Sequence, residues 1–223
     1  DNTVTSDNYP NESKSLSLYY PGAVIGDIWG YETIGIAKTN EEMQAHLSSM
    51  NNGAQSAMGS NWGAGDIMYK DLNGDGKIDG GKNTVEDSGD RRIIGNSNPR
   101  YNFGLNLDAA YKGFDLKVFL QGTLKRDYMP ESGTTVFWGA VGYWQTNFFE
   151  PHLDYFRPEG TSNPLGANLE AYYPRPLENG RNRYSQTRYL QNAAYARLKN
   201  VTLGYTLPQT LTENDLRTLL SFD

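Results

Sequence analysis

The chain has no cysteine and only two histidines, His46 and His152, among 223 residues. Without cysteine there can be no disulfide scaffold, thiol nucleophile or thiolate-bound metal. An exported chain that needs no bridges fits this absence. The two histidines stand too far apart in sequence to suggest an imidazole-based metal site. No apolar run approaches the roughly 18 residues that a membrane-spanning helix needs, so helical spans are excluded. Positive charge is in deficit, with 20 Lys and Arg against 26 Asp and Glu, and this argues against nucleic acid as a partner. The Gly-rich run at 59–65 lacks both a following Lys-Ser/Thr and a preceding strand, so it is no phosphate loop.

Aromatic residues are abundant: 16 Tyr, 8 Phe and 4 Trp make disorder improbable. One architecture escapes every exclusion above. A transmembrane β-barrel alternates lipid-facing and lumen-facing side chains, so its average composition reads as polar. The chain starts at Asp1 without an initiator Met or a signal-like leader, and the expectation is a piece of a longer protein.

Residues 1–100 read mainly as loop. Thr39-Asn40-Glu41-Glu42 is a capping-box signal, in which Thr39 caps a helix and Glu42 reaches back to the Thr39 amide. A short helix near 40–49 follows from it. Residues 101–124 carry the clearest periodicity. Tyr101, Phe103, Leu105, Leu107, Ala109 and Tyr111 share one face, and Phe114, Leu116, Val118 and Leu120 resume the pattern after Lys112-Gly113. This predicts a β-hairpin with a two-residue turn. Each strand has about ten residues, the length that spans a bilayer when tilted. Residues 125–194 show no clean alternation and are rich in aromatics, as expected of a long extracellular loop. Residues 195–223 predict a barrel strand ending at Pro208, a periplasmic turn and the start of the next strand from Leu216. Arg197 and Lys199 share the parity of Val201, Leu203 and Tyr205, so both are expected above the hydrocarbon band.

One segment has metal-like spacing. Asp71, Asn73 and Asp75 occupy positions 1, 3 and 5 of an EF-hand-like loop, with Gly76 at 6, the Lys77 carbonyl at 7 and Asp79 at 9. Position 12 is Lys82, which cannot ligate a cation. The competing reading is an Asx-rich turn that binds no ion. No catalytic constellation emerges, and the chain is expected not to be an enzyme. In the aromatic loop, Trp138 and Trp144 are the candidate ligand-contacting side chains, since indole faces stack on sugars or peptide side chains; the alternative is that they pack the loop.

Four ordered motifs resemble the late barrel segment of SusC/RagA-type TonB-linked outer-membrane proteins. They are Gly65-Asp66-Ile67-Met68-Tyr69-Lys70-Asp71-Leu72-Asn73-Gly74-Asp75-Gly76-Lys77-Ile78-Asp79, then Asp90-Arg91-Arg92-Ile93-Ile94-Gly95-Asn96-Ser97-Asn98-Pro99-Arg100-Tyr101, then Tyr111-Lys112-Gly113-Phe114-Asp115, and finally Tyr195 to Pro208. Tyr173-Pro174-Arg175 and Arg188-Tyr189-Leu190-Gln191-Asn192 match the same family habit. The resemblance covers most of residues 20–208. It implies an all-β fold: a fragment of a large antiparallel transmembrane barrel, about 22 strands in the parent, with long extracellular loops. It further implies the outer membrane of a Gram-negative bacterium, import of glycans or peptides, and TonB and a SusD-like lipoprotein as partners of the parent protein. In the acidic loop it implies closure by an Asp preceding an Arg. Here that is Asp90, with Gly80 to Gly89 inserted, and Ca2+ is the possible cofactor.

Two functions are thus in play. One is a segment of an outer-membrane nutrient importer. The other is a soluble, calcium-stabilised β-domain that binds carbohydrate. The bilayer-length hairpin followed by a very long loop favours the first.

Overall fold

The computed structural model describes residues 3–5, 11–139, 148–177 and 180–208. The described residues form nine strands with only short helices, an all-β chain. Among the described residues no helix is long and apolar enough to cross a membrane. In chain order the strands are β1 (Asp27–Tyr31), β2 (Thr33–Ile36), β3 (Ile67–Tyr69), β4 (Arg91–Asn96), β5 (Arg100–Tyr111), β6 (Phe114–Lys125), β7 (Asp127–Tyr128), β8 (Gln191–Asn192) and β9 (Tyr195–Tyr205). The chain divides into two compact units, one of residues 1–98 with 127–192 and one of 99–126 with 193–223.

The second unit is a three-stranded antiparallel sheet of order β5-β6-β9. Its hairpin closes at Lys112-Gly113, both at positive φ (48° and 88°), which matches the right-handed twist of the flanking strands. Glycine adopts that conformation without a Cβ clash, whereas Lys112 does so against its own side chain. The register aligns the apolar positions of all three strands in rows. Leu105 pairs with Leu120 and Leu120 with Leu198; Leu107 pairs with Val118 and Val118 with Val201. Towards the turn, Tyr111 pairs with Phe114 and Phe114 with Tyr205, and the last two rings lie 4.4 Å apart. The opposite face carries Asn106, Phe119 and Asn200 in one row and Asp108, Lys117 and Thr202 in the next.

One expectation fails here. The β6–β9 register shifts between Phe119 and Leu120, so that Phe119 pairs with Asn200 but Leu120 pairs with Leu198. Lys199 is the extra residue of a β-bulge, which reverses the parity of everything before it in β9. Leu198 therefore joins the apolar face and Arg197 pairs with Gln121 on the polar one. No displacement above the apolar band is needed to explain Arg197.

The first unit is built from short strand pairs, β1 with β4, β2 with β3 and β7 with β8. Its core gathers Met43, Ile67, Tyr69, Ile78, Trp138, Phe156 and Tyr189 from both of its chain stretches. The helix α1 (Asn40–Ser48) starts where expected and buries Met43. Thr39 Oγ1 accepts from the Glu42 amide at 3.1 Å. Glu42, however, takes the Lys38 amide at 2.6 Å rather than that of Thr39. The reciprocal bond of the box thus falls one residue earlier.

Candidate functional site

Three features could carry function: the sheet face, the acidic loop, and a buried charge cluster with the aromatic residues around it.

On the sheet, alternation decides the chemistry. Leu105, Leu107, Leu116, Leu198, Val201 and Leu203 share one face and are exposed, Leu203 to 71%. A contiguous apolar surface of this kind on a soluble protein marks a site that something else covers. Tyr101 and Tyr111 lie at opposite ends of β5 and are exposed to 70% and 72%.

In the acidic loop the structure shows where every candidate ligand goes. Asp71 accepts from the Gly74 amide at 2.6 Å and the Gly76 amide at 2.9 Å. Asn73 Oδ1 accepts from the Asp75 amide at 3.0 Å, and Asp75 Oδ1 from the Lys77 amide at 3.1 Å. The Lys77 ammonium sits 2.6 Å from Asp79 and 3.8 Å from Asp75. Hydrogen bonding from Lys77 and from the Gly81 amide holds the Asp79 carboxyl below its ordinary value. Asp90 does come to the loop. Fully buried, it accepts from the Leu72 amide at 2.8 Å and the Asp79 amide at 2.9 Å. Burial pushes its carboxyl up, those two amides pull it down, and Asp71 and Asp75 push it further up. Among the described residues no three His, Asp or Glu side chains converge as a metal-binding group. In this arrangement backbone amides and one ammonium balance the carboxylates.

Of the two tryptophans, Trp144 lies outside the described residues. Trp138 is in the core at 1% exposure. Its indole Nε1 donates to the Glu131 carbonyl at 2.9 Å, and its ring meets Tyr189 edge-on at 4.8 Å. This corrects the ligand-contact expectation for Trp138: a side chain enclosed by Phe137, Tyr173 and Tyr189 has no face left to offer a ligand. Burial likewise pushes the Tyr173 hydroxyl up to about 12.

Sequence reasoning missed a densely connected buried polar group, the carboxylate of Asp66. Asp66, wholly buried, opens β3 through a local turn in which its Oδ2 accepts from the Gly63 amide at 3.0 Å. Arg175 donates to it through Nε at 2.8 Å and Nη2 at 2.5 Å. Asn182 adds a bond at 2.9 Å, and the Arg181 guanidinium stands 3.1 Å away. Arg181 also lies over the Trp62 ring at 5.0 Å. Burial holds its guanidinium below the ordinary value, and Asp66 offsets this only in part. Gly65 lets the chains approach: at φ +86° its amide reaches Ala37, and a Cβ there would come within 2.8 Å of the Arg175 Cβ. Asn182 Oδ1 in turn caps the Ile67 amide, and the Tyr69 hydroxyl donates to the Arg181 carbonyl.

No family model matches the chain. Over 199 residues it is 27% identical to TonB-dependent receptor P3 of Formosa agariphila. The match covers 88% of this chain and 16% of that receptor, so the chain spans about a sixth of its relative's length. The likeness supports the TonB-dependent receptors as the family and agrees with an all-β barrel segment.

Proposed function

We propose that the chain is part of a TonB-dependent transporter of the SusC/RagA type, seated in the outer membrane and importing glycans or peptides. In this reading it works with a SusD-like surface lipoprotein, draws energy through TonB and catalyses no reaction. The observation that carries the proposal is the β5-β6-β9 sheet. Its strands have 12, 12 and 11 residues, enough to span a bilayer at a tilt, and their registered apolar face is exposed. A soluble β-domain buries one face of each sheet, whereas a barrel wall leaves this one to lipid. The likeness to a TonB-dependent receptor supports the same reading.

With Lys112-Gly113 as a periplasmic turn, residue 160 lies outside the cell. A cysteine at Gly160 of the intact receptor is then expected to react with an impermeant maleimide on whole cells. A cysteine at Lys112 should react only after permeabilisation. Labelling at 112 but not at 160 reverses the topology. Loss of uptake on deleting TonB tests the energy source.

Calcium in the acidic loop is a proposal supported by the spacing of Asp71, Asn73, Asp75 and Asp79, with the Lys77 carbonyl and Asp90 completing the set. An ion would take the position that the Lys77 ammonium holds beside Asp79. Lys77→Ala should therefore strengthen calcium binding, read by calorimetry on the EDTA-treated receptor. No heat from either wild type or variant would leave the loop as an Asx-rich turn. Asp90→Ala should destabilise the loop with or without calcium, by about 1–3 kcal/mol, because it orphans the Leu72 and Asp79 amides.

A further inference from the structure

We propose that Asn52 is a self-modifying site, where the backbone nitrogen of Gly53 turns its side-chain amide into a carboxylate and so loosens the seam between residues 51–54 and 76–78. The chain holds three Asn-Gly pairs, at 52–53, 73–74 and 179–180, and Asn179 lies outside the described residues. Glycine leaves its amide nitrogen unshielded by a side chain, so an Asn-Gly pair closes to a succinimide more readily than other pairs. In that step a base takes the Gly53 amide proton and the nitrogen attacks Asn52 Cγ. The Cγ–Nδ2 bond breaks, and ammonia leaves with the proton returned to it. Water then adds to either carbonyl of the ring. Opening one way gives aspartate; the other gives isoaspartate, whose main chain runs through the side-chain carbons.

The fold treats the two described pairs differently. At Asn73 the Gly74 amide donates to Asp71 Oδ1 at 2.6 Å, and a proton held by a carboxylate is hard to remove. Both ends of the Asn73 side chain are also taken, Oδ1 by the Asp75 amide and Nδ2 by Asp75 Oδ2. Asn52 and Gly53 are both exposed, and the Gly53 amide donates to no atom among the described residues. Gly53 sits at φ +101°, where a side chain would be strained, so the turn itself requires the glycine. Asn52 is also a structural residue. Its Nδ2 donates to the Asp75 carbonyl at 3.2 Å and its amide to the Gly76 carbonyl at 3.0 Å, while the Ile78 amide closes on the Ala54 carbonyl at 2.7 Å. A carboxylate at 52 has no proton to donate and sets an anion against the Asp75 carbonyl, in a loop that already carries Asp71, Asp75 and Asp79. The seam leads into Gln55, which is fully buried, accepts from the Tyr69 amide at 2.7 Å and donates to the Ile67 carbonyl at 3.1 Å. A chemical change at the surface thus reaches the residue that holds β3.

The experiment is ageing of the purified intact receptor at mildly alkaline pH, with peptide mapping by mass spectrometry at Asn52 and Asn73 in the native and the urea-unfolded protein. Unfolding removes the tertiary bonds, so the unfolded rate is the reference for each site. Native Asn73 should convert at least about tenfold more slowly than in the unfolded chain, whereas native Asn52 should stay close to its unfolded rate. Asn52→Asp stands for the product and should speed hydrogen exchange at the Ile78 amide by about threefold or more. Asn52→Gln keeps the donor but would have to close a larger, slower-forming ring, and should hold that protection through the same ageing. Slowing of Asn52 as great as that of Asn73, or unchanged Ile78 exchange in Asn52→Asp, would overturn the proposal.

Discussion

Asp66→Ala is expected to cost the first unit about 3–5 kcal/mol, the range for removing one partner of a buried ion pair. The reason lies in what remains. Arg181, with 6% of its side chain exposed, would lose the buried carboxylate that stands 3.1 Å from its guanidinium. Arg175 is better placed to recover, since nearly a third of its side chain already meets solvent. The Gly63 amide and the Asn182 side chain would lose their acceptor too. Asn182 in turn anchors the Ile67 amide at the start of β3, so loosening should spread to that strand. Limited proteolysis of the intact receptor is the readout, with new cleavage expected near residues 59–65 and 175–183. Glu32→Ala removes the exposed pairs with Lys70 and Arg92 and should leave the pattern as it was. Identical patterns for the two variants would mean that the Asp66 cluster holds nothing together.

The second large effect belongs to the sheet. Leu105 lies mid-strand in the apolar row with Leu120 and Leu198. Arginine there should cost about 2–4 kcal/mol if the row lies near the bilayer midplane. Its neighbour Asn106 faces the other way, in the row with Phe119 and Asn200. Asn106→Arg points at the barrel lumen and should be far milder. Urea titration of the receptor folded into liposomes gives both values. Equal penalties at the two positions would point instead to a sheet buried on both faces.

The hairpin was legible because a period-two pattern and a two-residue turn are local signals, complete within about 25 residues. The bulge at Lys199 was not. One extra residue leaves composition and propensity unchanged and shows only against a partner strand, where it reverses the parity of Arg197. The Asp66 cluster was hidden for a related reason, since Arg175 lies 109 residues away and Asn182 lies 116 away. Aspartate and arginine are common enough that no spacing singles out this pair. A signal did exist in retrospect, because Gly65-Asp66 and Tyr173-Pro174-Arg175 both belong to the motifs that carry the family resemblance. In the acidic loop the turn could be read from the alternation of Asp, Asn and Gly. The occupation of its oxygens by backbone amides could not, because those bonds depend on Gly74 and Gly76 at φ +76° and +80°. Trp138 illustrates a general ambiguity. The same indole serves a ligand or a core, and only the enclosing rings of Phe137, Tyr173 and Tyr189 decide between them.

The central claim, that the apolar face of β5-β6-β9 meets lipid, is tested most directly by spin labels placed one at a time at residues 103–110 of the receptor in liposomes. Collision with oxygen, which concentrates in lipid, and with a water-soluble nickel chelate then reports the surroundings of each position. Oxygen access should peak at 103, 105, 107 and 109 and nickel access at 104, 106, 108 and 110, in a strict period of two. Protection from both reagents along one whole face, or no alternation at all, would contradict a membrane-spanning strand.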